Sequence, residues 1–475
     1  MGIEWWHMAK PSIKSRPRLV IAGLAGDSGK TLVALGISIL ARRMGLPVAA
    51  FKKGPDYIDA AWLAWATGRP CRNLDTWMMG NARVTQSFLR HAEPEGFNVI
   101  EGNRGVYDGV GNNGKHSTAD LAKLLKAPVI LVTNSTKMTH TEAALVLGVM
   151  DYDPEMQLAG VVLNQVGGER HLGTLVRTIE SRTGAPVIGA IPRFGEDDLL
   201  PGRHLGLVTP AEHPAMAELE ERLVKRLEAH LDLKRLVKIA RSAEHWGGAT
   251  EVDGETPPGR GLRIGVIQDS AFTFYYPENL EALQRAGMEL APISSLADRA
   301  LPENLHALYI GGGFPETHGA RIAANRPFLA SLRKAARKGL PIYAECGGLM
   351  LLSRAIHWQG LRYECAGVFP VEVEVEARPQ GHGYASLVVD QPNPFFKEGA
   401  IIRGHEFHYS RIVRSGKIPV TVAAVKRGVG CGGGRDGMIA GNVWASYTHL
   451  HAAATPAWAR GMVRVARQFS TIAAK

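Results

Sequence analysis

Arg18-Leu19-Val20-Ile21-Ala22-Gly23-Leu24-Ala25-Gly26-Asp27-Ser28-Gly29-Lys30-Thr31 decides the fold of the first half of the chain. A short apolar run, read as a buried strand, feeds a glycine-rich turn, and a helical pattern follows from Leu32 to Met44. That layout is a phosphate-binding loop. Backbone amides and the helix N-terminus cradle phosphates, Lys30 reaches the outer ones, and the Thr31 hydroxyl can ligate Mg²⁺. Gly26, Ser28, Gly29, Lys30 and Thr31 are the expected nucleotide contacts. Five residues separate Gly23 from Gly29 where the strict motif has four. Gly26-Asp27-Ser28-Gly29 also spells a serine-protease nucleophile signature, but neither a two-barrel pattern nor a separate histidine motif accompanies it.

Outward from the loop, apolar runs alternate with amphipathic helices. Pro47–Phe51 reads as a second strand and ends in Lys52-Lys53-Gly54-Pro55-Asp56-Tyr57-Ile58-Asp59. Two carboxylates beside two lysines just past a strand end sit where α/β proteins place ligand chemistry, and Mg²⁺ on ATP seeks carboxylate oxygens. Phe97–Glu101 is a third strand ending in an acid, the expected position of a second metal-facing group. Thr31, Asp56 and Glu101 are therefore the candidate Mg²⁺ ligands. Lys53, Asp59 and Arg104 of the following turn are candidates for substrate activation. Ser117 to Asp120 carries capping residues for the next helix, and further strands are read at 128–133 and 158–164 around a helix from Thr141 to Met150. The pattern predicts a doubly wound, mostly parallel sheet.

Bulk properties narrow the function. The 475 residues suit two or three domains. Four cysteines without metal spacing suit a reducing cytoplasm. No signal-peptide core, myristoylation pattern or membrane-length apolar run is read, so no membrane partner is expected. The net charge is +10 without a basic block or nucleic-acid motif, so anionic small molecules are expected rather than nucleic acid. Residues 1–16 read as an N-terminal extension, 17–210 as the phosphate-loop domain, 211–261 as a helical segment and Gly/Pro-rich linker, and 262–465 as a second domain.

In that second domain Tyr343-Ala344-Glu345-Cys346-Gly347-Gly348 places a thiol at a strand-to-helix turn. Such a turn puts the sulfur beside amides that lower its pKa and can hold an oxyanion. Gly311-Gly312-Gly313 at an earlier strand end could supply the other half of that hole, and His449 and His451 follow about a hundred residues later as candidate bases. Val371 to Glu376 alternates, as an antiparallel strand with one wet face does. His405-Glu406-Phe407-His408 has the wrong spacing for a zinc helix.

Glycine loop, cysteine turn and late histidine, in that order, look like a class I glutamine amidotransferase. Joined to the phosphate loop, the stretch from about residue 17 to 465 resembles the cobyrinic acid a,c-diamide synthase family. The resemblance is carried by Gly23–Thr31, Lys53–Asp59, Gly311–Glu316, Tyr343–Gly348, His405–Ser410 and Ala445–Tyr447 with His449. It implies a dethiobiotin-synthetase-like domain followed by a flavodoxin-like class I glutaminase. It further implies Cys346 as nucleophile, His449 as base, and the Gly313 and Gly347 amides as oxyanion hole. Asp56, Asp59 and Glu101 would handle Mg²⁺–ATP and substrate. The implied partners are ATP, L-glutamine and an anionic polycarboxylate tetrapyrrole, two of whose acetates become amides through acyl phosphates. A homodimer is compatible with it.

The chain departs from the family at Asn103-Arg104 and at Asn134. An arginine there could pair a ring carboxylate, so siroheme or (nickel-)sirohydrochlorin remains an alternative ring. A non-catalytic phosphate-loop regulator is the alternative from another class.

Overall fold

The computed structural model describes residues 15–193, 202–203, 206–207, 210, 215–245, 258–413 and 419–473. Most of the expected N-terminal extension and of the Gly/Pro-rich linker lies outside the described residues. The chain divides into two compact α/β units, Met1–Asp253 and Gly254–Lys475.

The first unit is built on seven strands: β1 (Arg18–Gly23), β2 (Val48–Lys53), β3 (Arg72–Leu74), β4 (Phe97–Gly105), β5 (Val129–Asn134), β6 (Leu158–Val166) and β7 (Val187–Pro192). All pair in parallel, in the order β3-β2-β4-β1-β5-β6-β7. Parallel strands covered on both faces read as unbroken apolar runs, and every residue of β1 is buried. The chain leaves central β1 toward β2 and β3, then returns to fill the other side. The phosphate loop thus lies at the switch point, outside the carboxyl ends of the strands.

Helix α1 (Lys30–Arg43) is buried along most of its length, because a second helical layer covers it. That layer includes the helices Met216–Leu227 and Leu233–Arg241, which the sequence suggests as a connecting segment. A β-carbon on Gly36 would stand 2.4 Å from Leu227 Cδ1, so glycine permits the close approach. Arg42 Nη2 adds an ion pair to Glu220 Oε2 at 2.7 Å. Two short strands, β8 (Gly202–Arg203) and β9 (Gly206–Leu207), pair with each other.

The second unit begins with parallel strands β10 (Arg263–Ile267), β11 (Glu289–Ile293), β12 (Ala307–Ile310) and β13 (Ile342–Glu345). A separate four-stranded sheet holds β14 (Ala355–Trp358), β15 (Leu361–Glu364), β16 (Glu372–Val375) and β19 (Ser410–Val413). The alternating stretch forms β16, which runs antiparallel to β19 but parallel to β14, because its neighbour returns through β15. The main sheet continues with β17 (Gly381–Val389), β18 (Ile401–His408), β20 (Val420–Arg427), β21 (Arg435–Ala440), β22 (Val443–Ser446) and β23 (His449–Leu450), in the order β11-β10-β12-β13-β22-β21-β20-β17-β18-β23. β22 pairs parallel with β13, and from β21 onward the pairing is antiparallel. Tyr309, Tyr343, Trp444 and Trp458 are almost wholly buried in one of its two cores. The final helix spans Ala457–Ala473.

Candidate functional site

The loop after β1 closes on itself. Gly29 adopts φ 97°, a left-handed conformation that favours glycine. A β-carbon there would meet Asn164 Nδ2 at 2.2 Å. Asn164, at the end of β6, donates to Ser28 O at 3.1 Å and braces the loop from behind. Ser28 Oγ accepts from Ala25 N at 3.0 Å. The Lys30 ammonium donates to Ala25 O and Gly26 O at 2.8 and 2.7 Å, and burial followed by Lys52 lowers its pKa. The local chain already gathers the loop amides and a cation of increased acidity at one helix N-terminus.

Strand register builds the acidic part. Lys52 on β2 sits opposite Glu101 on β4. Lys52 is 1% exposed, and its ammonium donates to Asp59 Oδ2 at 2.7 Å, Glu101 Oε1 at 2.9 Å and Gly102 O at 3.1 Å. Burial alone would lower the Lys52 pKa, but Asp59 and Glu101 outweigh it and the net shift is upward. Thr31 Oγ1 donates to Glu101 Oε1 at 2.7 Å. Burial pushes the Glu101 carboxyl up to about 7 despite Lys52, with Asp59 adding to the rise. Asp56 Oδ1 accepts from Asp59 N at 2.8 Å at the start of helix α2 (Ile58–Thr67), and burial with Asp59 raises its pKa to about 6.

Thr31, Glu101, Asp59 and Asp56 therefore form one connected cluster. The lysine that bridges it is Lys52. Lys53 is also buried, has its pKa lowered by burial, and lies within the field of Asp75 and Arg104. Arg104 is exposed at the end of β4 with φ 55°. Asn134 is exposed, and its Oδ1 accepts from Thr136 N at 3.0 Å.

A divalent cation fits this donor set. Glu101 Oε2 is buried with no hydrogen-bond partner among the described residues, and Thr31 Oγ1 is adjacent to its carboxylate. Hard oxygen donors suit Mg²⁺, which normally takes one or two protein ligands and completes its shell with phosphate and water. No group of three or more His, Cys, Asp or Glu able to hold a metal alone occurs among the described residues.

In the second unit, Cys346 stands between β13 and the short helix Gly347–Leu352 with φ 49° and ψ −100°. A non-glycine residue in so sparse a region stores about 1–3 kcal/mol, a cost that surrounding structure must hold in place. Its N–H donates to Ser446 O at 2.7 Å and its carbonyl accepts from Met350 N at 3.1 Å. The two glycines that follow permit tight packing. A β-carbon on Gly348 would approach Ile310 O to 2.6 Å, and one on Gly347 would stand 3.1 Å from Gly313 N. Both expected oxyanion amides therefore belong to one small neighbourhood beside the thiol.

His449 hydrogen-bonds the Cys346 side chain. Both are buried, at 1% and 5% exposure. Burial acts to lower the imidazole pKa, but Cys346 and then Glu345 raise it to about 10. β23 places His449 opposite His405 on β18, and the two rings stack at 5.0 Å. The segment before it is held by Asp436, which accepts from Tyr447 N at 3.1 Å and Thr448 Oγ1 at 2.8 Å. Gly312 lies under the base: a β-carbon there would be 2.5 Å from His449 Cε1. His451 belongs to a different pair, its Nε2 3.7 Å from Glu278 Oε2.

In the sequence Lys52 stands out only as one of two adjacent lysines and Gly312 only as part of a glycine run, and Asn164 only as a strand end. Alternation along β2 was a usable signal for Lys52, since only every second residue shares a face with Glu101. The contacts that give Asn164 and Gly312 their roles, to Ser28 O and to the His449 ring, span long sequence distances.

A phosphate-loop unit and a buried thiol–imidazole unit on one chain define the glutamine amidotransferase class of ligases. Residues 263–457 match the family model described as a CobB/CobQ-like glutamine amidotransferase domain, and residues 79–196 match one described as an AAA domain. The cobyrinate a,c-diamide synthase of Magnetococcus marinus is 40% identical over 462 residues, 95% of this chain and 97% of that protein. That of Dehalococcoides mccartyi strain 195 is 39% identical over 463 residues, 96% and 99% of the two chains. The Archaeoglobus fulgidus protein of the same name is 38% identical over 451 residues, 95% and 97%. The chain belongs to the cobyrinate a,c-diamide synthase family. ATP use accords with that family and with the phosphate-loop domain. No helix among the described residues is long and apolar enough to cross a membrane.

Proposed function

We propose that the chain converts the a and c acetates of a cobyrinic-acid-type tetrapyrrole to amides, using ATP and glutamine. The observation that carries this reading is the near-full-length identity to proteins of that name, together with an intact Cys346–His449 pair. A carboxylate is a poor acyl donor because oxide would have to leave. Transfer of the ATP γ-phosphoryl group to the acetate oxygen gives an acyl phosphate and ADP. Ammonia then attacks the carbonyl carbon, and inorganic phosphate leaves.

In the first unit, Lys30 and the loop amides bind the triphosphate, and exchanging neutral carbonyl partners for phosphate oxygens strengthens the lysine's hydrogen bonds. Thr31, Glu101 and Asp56 would hold Mg²⁺, which offsets charge on the transferring phosphoryl group. Asp59, fixed by Lys52, and exposed Arg104 are assigned to the acid substrate and its orientation.

In the second unit, the Cys346 thiolate attacks the glutamine side-chain carbonyl. The Gly313 and Gly347 amides stabilise the oxyanion, with about 3 kcal/mol typical of one such donor. His449 gives its proton to the departing ammonia, and water then hydrolyses the thioester to glutamate. We place the reaction in the cytoplasm and treat a homodimer as its assembly state.

The test incubates purified protein with ATP, Mg²⁺ and glutamine and, separately, cobyrinic acid, siroheme and nickel-sirohydrochlorin, and weighs the products for acid-to-amide conversion. Cobyrinic acid should gain two amides. Cys346→Ser should abolish the glutamine-dependent reaction while ammonium chloride still supports it. Conversion of another ring but not cobyrinic acid would overturn the substrate, and loss of the ammonia reaction would overturn the two-centre scheme.

A further inference from the structure

A base that takes and returns a proton needs a group to hold its ring, and the sequence assigns His449 none. We propose that Glu345, the residue immediately before the nucleophile, is that positioning residue, aligning the His449 ring through Nδ1 and stabilising its imidazolium form. This inference rests on the reading of Cys346 and His449 as the glutaminase pair.

Glu345 is fully buried at the end of β13, so no bulk water compensates its charge. Oε1 accepts from Leu450 N at 3.0 Å and Oε2 from the Tyr309 hydroxyl at 3.0 Å. Oε2 lies 3.8 Å from His449 Nδ1. One carboxylate thus grips the His449–Leu450 dipeptide by its backbone and faces its ring. Asn279 secures the arrangement: its Nδ2 donates to Tyr309 Oη at 3.2 Å and to Leu450 O at 3.0 Å. The Glu345–His449 separation exceeds the about 2.6–3.2 Å of a working catalytic hydrogen bond, and such bonds commonly tighten only with substrate in place.

The titratable groups around His449 are Cys346, Glu345, His405 and His408. Burial pushes both of those other histidines toward neutrality, and Glu345 is the carboxylate whose oxygen lies nearest the His449 ring, 3.8 Å from Nδ1. Tyr309 and Tyr343, which face the carboxylate, have phenol pKa values raised by burial and stay neutral donors. His451 cannot substitute, because its carboxylate partner is Glu278.

The test compares Glu345→Gln, Glu345→Asp and Cys346→Ser in the full-length protein. Three quantities are read: glutamine hydrolysis, the pH profile of Cys346 alkylation by iodoacetamide, and ammonia-dependent amidation. Glutamine should retain the backbone acceptor, so the fold should persist and ammonia-dependent amidation should stay at the parental rate. The glutaminase kcat of Glu345→Gln should fall by up to about 10⁴-fold, the loss that neutralising an orienting carboxylate causes in a serine triad. Its KM should change less than about twofold, since only a transition-state interaction is removed. The thiolate limb of the alkylation profile should move to higher pH, and Glu345→Asp should recover part of both effects. A parental kcat with an unshifted profile in Glu345→Gln overturns the inference, as does equal loss in Asp and Gln variants. Glutaminase activity surviving in Cys346→Ser would instead overturn the underlying assignment of the nucleophile.

Discussion

Replacing Lys52 by methionine tests the acidic cluster directly. Methionine keeps the approximate length of the side chain and removes the charge that Asp59, Glu101 and Gly102 O share. Removing one partner of a buried ion pair costs about 3–5 kcal/mol, because the other charge is left without compensation. The lower end applies here. The Asp59 side chain is 22% exposed, so water reaches it, and Glu101 can take up a proton instead of remaining charged. A loss of about 3 kcal/mol at pH 8, read from urea denaturation, is expected.

The sign with pH follows from linkage. The folded pKa of Glu101, about 7, already exceeds its unfolded value near 4.3 and rises further without Lys52. A raised carboxylate pKa means that the folded state binds the extra proton, so the penalty sets in above the unfolded pKa, grows as pH rises toward the folded one and is complete above it. The deficit of Lys52→Met relative to the parent should therefore shrink between pH 8 and pH 5. Ammonia-dependent amidation should drop at least about 100-fold, since a neutral Glu101 no longer attracts a cation, while Cys346 alkylation stays parental. Parental stability at pH 8, or a deficit that widens on acidification, would refute the reasoning.

Two glycines give sharper geometric tests. Gly312→Ala puts a methyl group 2.5 Å from His449 Cε1, and the ring cannot retreat freely because His405 stacks behind it. Glutamine hydrolysis should fall about 100-fold, as misplacing a catalytic group by about 1 Å does, while ATP binding by calorimetry stays unchanged. Gly29→Ala combines a left-handed φ with a β-carbon 2.2 Å from Asn164 Nδ2. It should weaken ATP binding at least about tenfold by disturbing the loop amides, leaving Cys346 alkylation at the parental rate.

The parts legible in sequence are those with local physics. The phosphate loop declares itself through Gly29 and Lys30 at a strand-to-helix turn, and the thiol turn through Cys346 followed by two glycines. Several strand runs and the helices beginning near Leu32 and Thr141 followed from apolar periodicity. What stayed hidden depends on pairing at long range. Lys52 was on the page beside Lys53, but choosing between them needs the register that sets Lys52 against Glu101. The helices after residue 215 read as a charged connector because their apolar faces are narrow. Leu219, Leu223 and Leu227 of the first helix and Leu236 and Ala240 of the second are the buried positions, and the first stripe suffices to pack on α1.

The two units solve one electrostatic problem in different ways. Each buries a carboxylate on a strand, Glu101 on β4 and Glu345 at the end of β13. Glu101 faces a permanent cation, Lys52, yet its pKa stays raised and one oxygen remains available, so a further cation relieves the site. Glu345 meets neutral donors on both oxygens and a histidine whose charge depends on the neighbouring thiol. The first site should therefore respond to removal of divalent cation by chelation. The second should respond to the chemical state of Cys346: alkylating the thiol removes the anion that holds the His449 proton and should lower the imidazole pKa. Histidine NMR titration before and after alkylation separates the two responses, because a chelator that shifted His449 would contradict the assignment of its charge to Cys346 and Glu345.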